Sequence, residues 1–159
     1  MTNQIPMTVE GKKFLEAELD RLIKIEREQI KNAISEARAN GDLSENADYQ
    51  AAKEKQSHIE GRILEIQGKL AKAQIVDIKK IPVSSRVVFG ATVTILDVAH
   101  SKSVTYQIVG EDESTTSKDK ISYNSPLGRA LIGREEGDTA IVKAPKGDVE
   151  YEIESVKYL

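Results

Sequence analysis

The sequence predicts an α+β protein in two parts: an antiparallel helical hairpin, then a small antiparallel-sheet domain with one short helix. Three observations predict it. Up to about residue 75 the apolar residues recur at steps of three and four, the pattern of helices with one buried stripe. The stretch Asn40-Gly41-Asp42-Leu43-Ser44-Glu45-Asn46 interrupts that pattern midway, and beyond Pro82 the period changes to two, the pattern of half-buried strands. The expected division is residues 1–77 for the coiled-coil hairpin, 78–85 for a linker and 86–159 for the globular domain.

Taken in order, a short extended lead reaches Thr8, which is placed as an N-cap, with Glu10 in the first turn where a negative charge suits the helix dipole. Residue 11 is Gly, so the second half of a capping box is missing. Leu15, Leu19, Leu22, Ile23, Ile30, Ala33 or Ile34, and Ala37 form one stripe, and Gly41 is placed to end the helix. The second helix is expected from about Ser44 to Gln74, with Ile59, Ile63, Ile66, Leu70 and Ala73 spaced four, three, four, three along a coiled-coil seam. A turn near residue 42 then sets Leu15 beside Leu70, Leu19 beside Ile66 and Leu22 beside Ile63. Toward the turn the seam thins to Ala33, Ala37, Ala51 and Ala52, so that end is slim. About 30 residues at 1.5 Å each make a rod of roughly 45 Å. Gly61 and Gly68, a heptad apart on the outward face, each cost roughly 1 kcal/mol relative to Ala; close approach of another segment is one reason to keep them.

Pro82 marks the linker. Ala91, Val93 and Ile95, then Val104, Tyr106 and Ile108, alternate with polar residues as strands do. The polar segment 111–120 has no period and is expected to be a loop, with Ile121-Ser122-Tyr123-Asn124 a short extended piece after it. Ser125 as N-cap, Pro126 at the first helical position and Gly133 at the end bracket a helix of two turns. Residues 139–144 and 149–154 flank Pro145-Lys146-Gly147-Asp148 as a hairpin, and the apolar parity shift from Ile153 to Val156 predicts a bulge near Ser155.

Composition narrows the function. With no cysteine among 159 residues, disulfides, thiolate metal sites and cysteine nucleophiles are excluded. No apolar run is long enough to span a membrane, and the start lacks the pattern of a secretory signal, so a cytoplasmic, membrane-free home is expected. The net charge of −3 lacks the basic excess that direct duplex binding demands, so any nucleic acid is presented by another macromolecule. There is no phosphate-binding glycine loop and no nucleophile-base constellation, so the chain is not expected to be an enzyme alone. His58 and His100 have no partner at metal-ligand spacing.

The residues most suited to chemistry are Asp42 and Glu45. At i and i+3 beside a hairpin turn they can share a hard cation such as Mg²⁺, although two carboxylates are too few to cage an ion that prefers six oxygens. The same spacing is that of a capping box at the start of the second helix. Ser44 and Tyr49 brace the tip on one reading, and are a helix-start hydroxyl and a seam residue on the other.

Gly41-Asp42-Leu43-Ser44-Glu45-Asn46-Ala47-Asp48-Tyr49, following Ala33-Ile34-Ser35-Glu36-Ala37-Arg38, resembles the tip of the bacterial transcript cleavage factors of the Gre family. The opening Ile5-Pro6-Met7-Thr8, the stretch Gly90-Ala91-Thr92-Val93, the run 124–133 and the closing Val156-Lys157-Tyr158-Leu159 are similar to the same family, so the resemblance covers the whole chain. Asp48 departs from it, many relatives having glutamate there. The resemblance implies an FKBP-like second domain. It implies a transcription elongation factor that docks on RNA polymerase through Asn124, Ser125 and Pro126 and pushes its tip down the secondary channel. There Asp42 and Glu45 would hold a weakly bound second Mg²⁺, shared with the polymerase, and stimulate cleavage of the nascent RNA 3′ end in backtracked complexes. Arg38, Lys53 and Lys55 would attract the displaced RNA, or form part of a solvated face; so small a basic set suits the A-type members of the family. The chain is expected to be a monomer with no cofactor of its own. Two other readings stand beside this one: a non-catalytic regulator of the same architecture that blocks the channel, and a chaperone or prolyl isomerase, for which two Phe and no Trp make a poor pocket lining.

Overall fold

A computed structural model of the chain describes residues 4–40 and 46–159. Two compact units emerge, Lys13–Lys72 in one and Ala73–Leu159 with residues 4–12 in the other. This division differs from the expected boundary at residue 77, because the N-terminal strand and the residues after the second long helix pack with the sheet domain.

The first unit is the helical hairpin. Helix α1 (Val9–Arg21) passes through a π-helical turn (Leu22–Glu26) into α2 (Arg27–Ala39), and α3 (Ala47–Ala71) returns. Leu15, Leu22, Ile30 and Ala37 are buried on the first arm, and Ala52, Ile59, Ile63 and Ile66 on the second. The buried steps on the first arm are seven, eight and seven residues, whereas Ala52, Ile59 and Ile66 keep strict sevens. A π-turn takes up one extra residue inside an α-helix, and it lies in the eight-residue step. The seam therefore stays aligned across an insertion that the stripe of apolar residues alone did not reveal. Ion pairs confirm the antiparallel sense. The Arg62 guanidinium donates to Glu18 at 2.8 and 2.9 Å, and that of Arg27 donates to Glu60 at 2.7 and 2.9 Å, each bidentate. The bond from Arg27 holds the Glu60 carboxyl below its ordinary range.

Helix α3 is shorter than expected at both ends. It starts at Ala47 rather than Ser44, and Ala73 and Gln74, assigned to it from the sequence, belong to strand β2 (Ala73–Val76). That strand pairs in parallel with β1 (Ile5–Thr8), Ile5 opposite Ala73 and Thr8 opposite Val76. A ladder to a segment almost 70 residues away overrides the helical preference of Ala and Gln, which amounts to only tenths of a kcal/mol per residue, and no local pattern announces it. The first part of the expected linker is structured too. Ile78–Lys80 form a 3₁₀ turn after the N-capping Asp77, and the Ile78 side chain lies where a Cβ at Gly90 would approach it to 3.0 Å.

The second unit is built on a five-stranded sheet in the order β5-β4-β3-β7-β6. Its strands are β3 (Thr92–Asp97), β4 (Lys102–Val109), β5 (Lys120–Ser122), β6 (Thr139–Val142) and β7 (Val149–Lys157). All neighbours are antiparallel except β4 and β5. The alternating residues form the core expected of them: Val93, Ile95, Ile108 and Ile153 are buried with Val87, Leu131 and Val156. The bulge is present, since Thr94 pairs with Ser155 but Ile95 with Ile153, leaving Glu154 unopposed. Among the described residues no helix is long and apolar enough to cross a membrane.

The segment 111–120, expected to be a loop, instead opens with a helical turn, α4 (Glu111–Ser114), and contains a buried carboxylate. Glu113 accepts from the Thr8 hydroxyl and, at 3.0 Å, from the Lys120 ammonium. Thr8 Oγ1 in turn accepts the Gly11 N–H at 2.9 Å, which is the expected N-cap of α1. The missing capping-box glutamate thus has a physical reason. A Cβ at Gly11 would stand 2.8 Å from Glu113 Oε1, so the position three residues into the helix is kept bare for a carboxylate arriving from elsewhere in the chain. Burial of that group is compatible with folding because both its oxygens are bonded, one by a charged donor.

Glu113→Ala should lower the stability of this unit by about 2–3 kcal/mol, because the Thr8 hydroxyl and the Lys120 ammonium lose their acceptor inside the protein. A shift to lower urea in the transition followed by tyrosine fluorescence would show it.

Candidate functional site

Three of the residues singled out from the sequence, Asp42, Ser44 and Glu45, lie outside the described residues, as does Gly41. The structure describes the two helix ends on either side of them. Helix α2 closes at Asn40, whose N–H bonds the Ala37 carbonyl at 3.2 Å. Helix α3 opens at Asn46, an N-cap in extended conformation (φ −84°, ψ 100°). Its Oδ1 accepts the Tyr49 N–H at 3.0 Å, while its Nδ2 donates to Ala37 O at 2.6 Å. One side chain therefore caps the second helix and ties it to the last turn of the first. The helix starts later than a capping box led by Asp42 requires, and Asp48 is the acid in its first turn.

Tyr49 is half-buried in that first turn, as a residue beside the seam would be. Arg38, Lys53 and Lys55 are all exposed. Arg38 stands in the last turn of α2, where a positive charge also suits the helix dipole, and Lys53 Nζ bonds Gln56 Oε1 at 3.1 Å. Lys53 and Lys55, two residues apart on a helix, point to different sides, so the structure does not gather the three into one patch. His58 is exposed, and His100, in the β3–β4 turn, bonds Asp97 at 2.9 Å and holds that carboxyl below its usual range. Among the described residues no group of three or more His, Cys, Asp or Glu is arranged to hold a metal ion.

Asn124, Ser125 and Pro126 form the entrance to α5 (Pro126–Leu131). Ser125 Oγ accepts the Gly128 N–H at 3.0 Å and donates to Ser122 O at 2.7 Å, and Pro126 occupies the first helical turn. Asn124 accepts from Ser122 Oγ at 2.5 Å and donates to the Glu111 carboxylate. The turn is thus braced from both sides. It is also tight: a Cβ at Gly128 would meet Ser122 O at 2.2 Å.

Two family models match the chain. "Transcription elongation factor, N-terminal" covers residues 5–75 and "Transcription elongation factor, GreA/GreB, C-term" covers 82–158. The chain belongs to the GreA/GreB family of transcription elongation factors. Among its relatives, the transcription elongation factor GreA of Ralstonia nicotianae is 57% identical over 155 residues, 98% of each chain. The GreA of Methylococcus capsulatus is 54% identical over 157 residues, 99% of each. A crystal structure of GreA factor homolog 1 from Thermus thermophilus is 24% identical, with a TM-score of 0.45 over 98% of this chain and 99% of that one.

Reading the sequence missed two residues of this GreA/GreB-family chain that the structure brings forward, Asn46 and Glu113. Asn46 carried a signal, since Asn is a favoured N-cap and an acid follows two residues later. Glu113 carried none, because its partners Thr8 and Lys120 are joined to it only by the fold.

Gly128→Ala should destabilise the sheet unit by about 1–3 kcal/mol, the cost of forcing a methyl group into packed backbone. Thermal melting followed by near-ultraviolet circular dichroism, whose signal comes mainly from Tyr106, Tyr123, Tyr151 and Tyr158, would register it.

Proposed function

We propose that this chain binds bacterial RNA polymerase, inserts the turn end of its hairpin into the secondary channel, and stimulates the polymerase's own cleavage of the nascent RNA 3′ end in backtracked, arrested complexes. The observation that carries the reading is the match of both family models to a chain whose α2–α3 connection holds Asp42 and Glu45. Asn46 supports it by capping α3 with its own side chain, which accepts the Tyr49 N–H.

The donor set fits Mg²⁺, a hard cation that takes carboxylate oxygens and keeps several waters. Two ligands complete a site that the polymerase begins. Asp42 and Glu45 would hold that ion, which would supply one half of two-metal hydrolysis, in which one ion activates the water and the other stabilises the leaving oxygen. Asp42 and Glu45 contribute oxygen ligands and accept hydrogen bonds from the attacking water, which orients it. Ser44 and Tyr49 support the tip, Arg38, Lys53 and Lys55 draw the displaced RNA electrostatically, and Asn124, Ser125 and Pro126 form the docking loop. The chain acts as a cytoplasmic monomer, and the chemistry remains the polymerase's.

Asp42→Asn or Glu45→Gln should reduce stimulated cleavage by roughly a hundredfold, on the scale of changes around a metal site, with polymerase binding nearly unchanged. RNA shortening in a stalled elongation complex with Mg²⁺, alongside a binding competition, measures both. Full cleavage by the double variant would remove the mechanism, while binding of the parent chain without any cleavage would favour the channel-blocking regulator.

A further inference from the structure

We propose that Asn46 is a positioning residue for the cleavage reaction, its side chain fixing the separation of the two helix ends between which Asp42 and Glu45 are held. The inference rests on the function proposed above and goes beyond the acidic pair. A capping residue needs only an acceptor for an N–H in the first helical turn. Asn46 does that with Oδ1, 3.0 Å from the Tyr49 nitrogen, and spends its amide donor on something a cap does not require, the Ala37 carbonyl at 2.6 Å across the hairpin.

The choice of Ala37 matters. It is the last buried residue of the seam on the first arm, and its carbonyl already accepts the N–H of Asn40, the C-cap of α2. The second bond uses the remaining lone pair of a carbonyl at a helix end, where such groups lack partners within the helix. Beyond Ala37 on one arm and Ala52 on the other, none of the described residues of the two arms is a buried apolar side chain. Among the described residues, the amide of Asn46 is a hydrogen bond that joins the two arms at the end of this packing. Asp42 and Glu45 precede Asn46 by four positions and by one position. Loosening the helix ends would spread the carboxylates over many geometries, and a displacement on the order of 1 Å is enough to cost about a hundredfold in rate.

The test uses Asn46→Ser, since serine caps a helix as well as asparagine but is too short to bridge to Ala37 O. In a backtracked elongation complex the variant should bind at the parent's half-saturating concentration and keep the parent's helical circular dichroism. Its cleavage rate at saturation should fall at least about tenfold, and the Mg²⁺ concentration for half-maximal cleavage should rise. Asn46→Asp, which retains a strong cap and lacks the amide donor, should show the same loss of saturated rate. A parental rate and Mg²⁺ dependence in Asn46→Ser, or full rate in Asn46→Asp, would show that capping alone matters and overturn the proposal. Asp42→Asn and Glu45→Gln run in parallel separate the two claims: if they cleave normally the acidic-pair reading has failed, whereas if they are inactive and Asn46→Ser is not, only the positioning role has failed.

Discussion

The hairpin depends on keeping two apolar seams aligned over a long distance. A straight coiled coil does this with sevens on both arms, and here one arm contains an eight. Between Leu22 and Ile30 an unrelieved α-helix would rotate the next buried positions off the seam by about 100°, one residue's worth of helical turn. The π-helical turn Leu22–Glu26 absorbs that residue, so that Ile30 and Ala37 return to face Ala52, Ile59 and Ile66. Ile25, within the turn, is correspondingly left 52% exposed. The bidentate pairs Glu18–Arg62 and Arg27–Glu60 bracket the turn on its two sides. The more exposed pair, Arg27–Glu60, adds little stability, and the value of both is directional: each fixes which residue lies across from which.

A similar economy governs the start of α1. Thr8 caps the helix, the glycine at position 11 leaves room, and Glu113 fills it. Local capping and tertiary packing are usually separate matters. Here they share one hydroxyl, so the beginning of the first helix and the turn after β4 are ordered together. The parallel pairing of β1 with β2 belongs to the same unit and joins two segments that the sequence presents as the lead into one helix and the tail of another.

The sequence made much of this legible, and the reasons are physical. Period-four and period-three spacing located both arms of the hairpin, period two located β3, β4 and β7, and the change of parity after Ile153 located the bulge, because each is a local consequence of which face is buried. Ser125-Pro126 and Gly133 marked the short helix through backbone chemistry that needs no partner. What stayed hidden was non-local. Residues 73–76 form a strand only because Ile5–Thr8 lies alongside, the turn at 111–114 holds only because Glu113 finds Thr8 and Lys120, and the π-turn is visible only once the second arm's register is known. At the candidate site, the acidic pair and its neighbours were named from motif and spacing. The amide of Asn46 was overlooked because its role spans two helices.

The central claim is that the hairpin's turn end, with Asp42 and Glu45, works inside the catalytic centre of another macromolecule. The chain contains no cysteine, so a single one introduced at Leu43 can carry a short photoreactive crosslinker without background labelling. In a backtracked elongation complex, the account predicts that irradiation joins this position to the displaced RNA 3′ end and to polymerase residues lining the active centre. Adducts confined to the outer surface of the polymerase, in complexes that nevertheless cleave their RNA on addition of the chain, would contradict it.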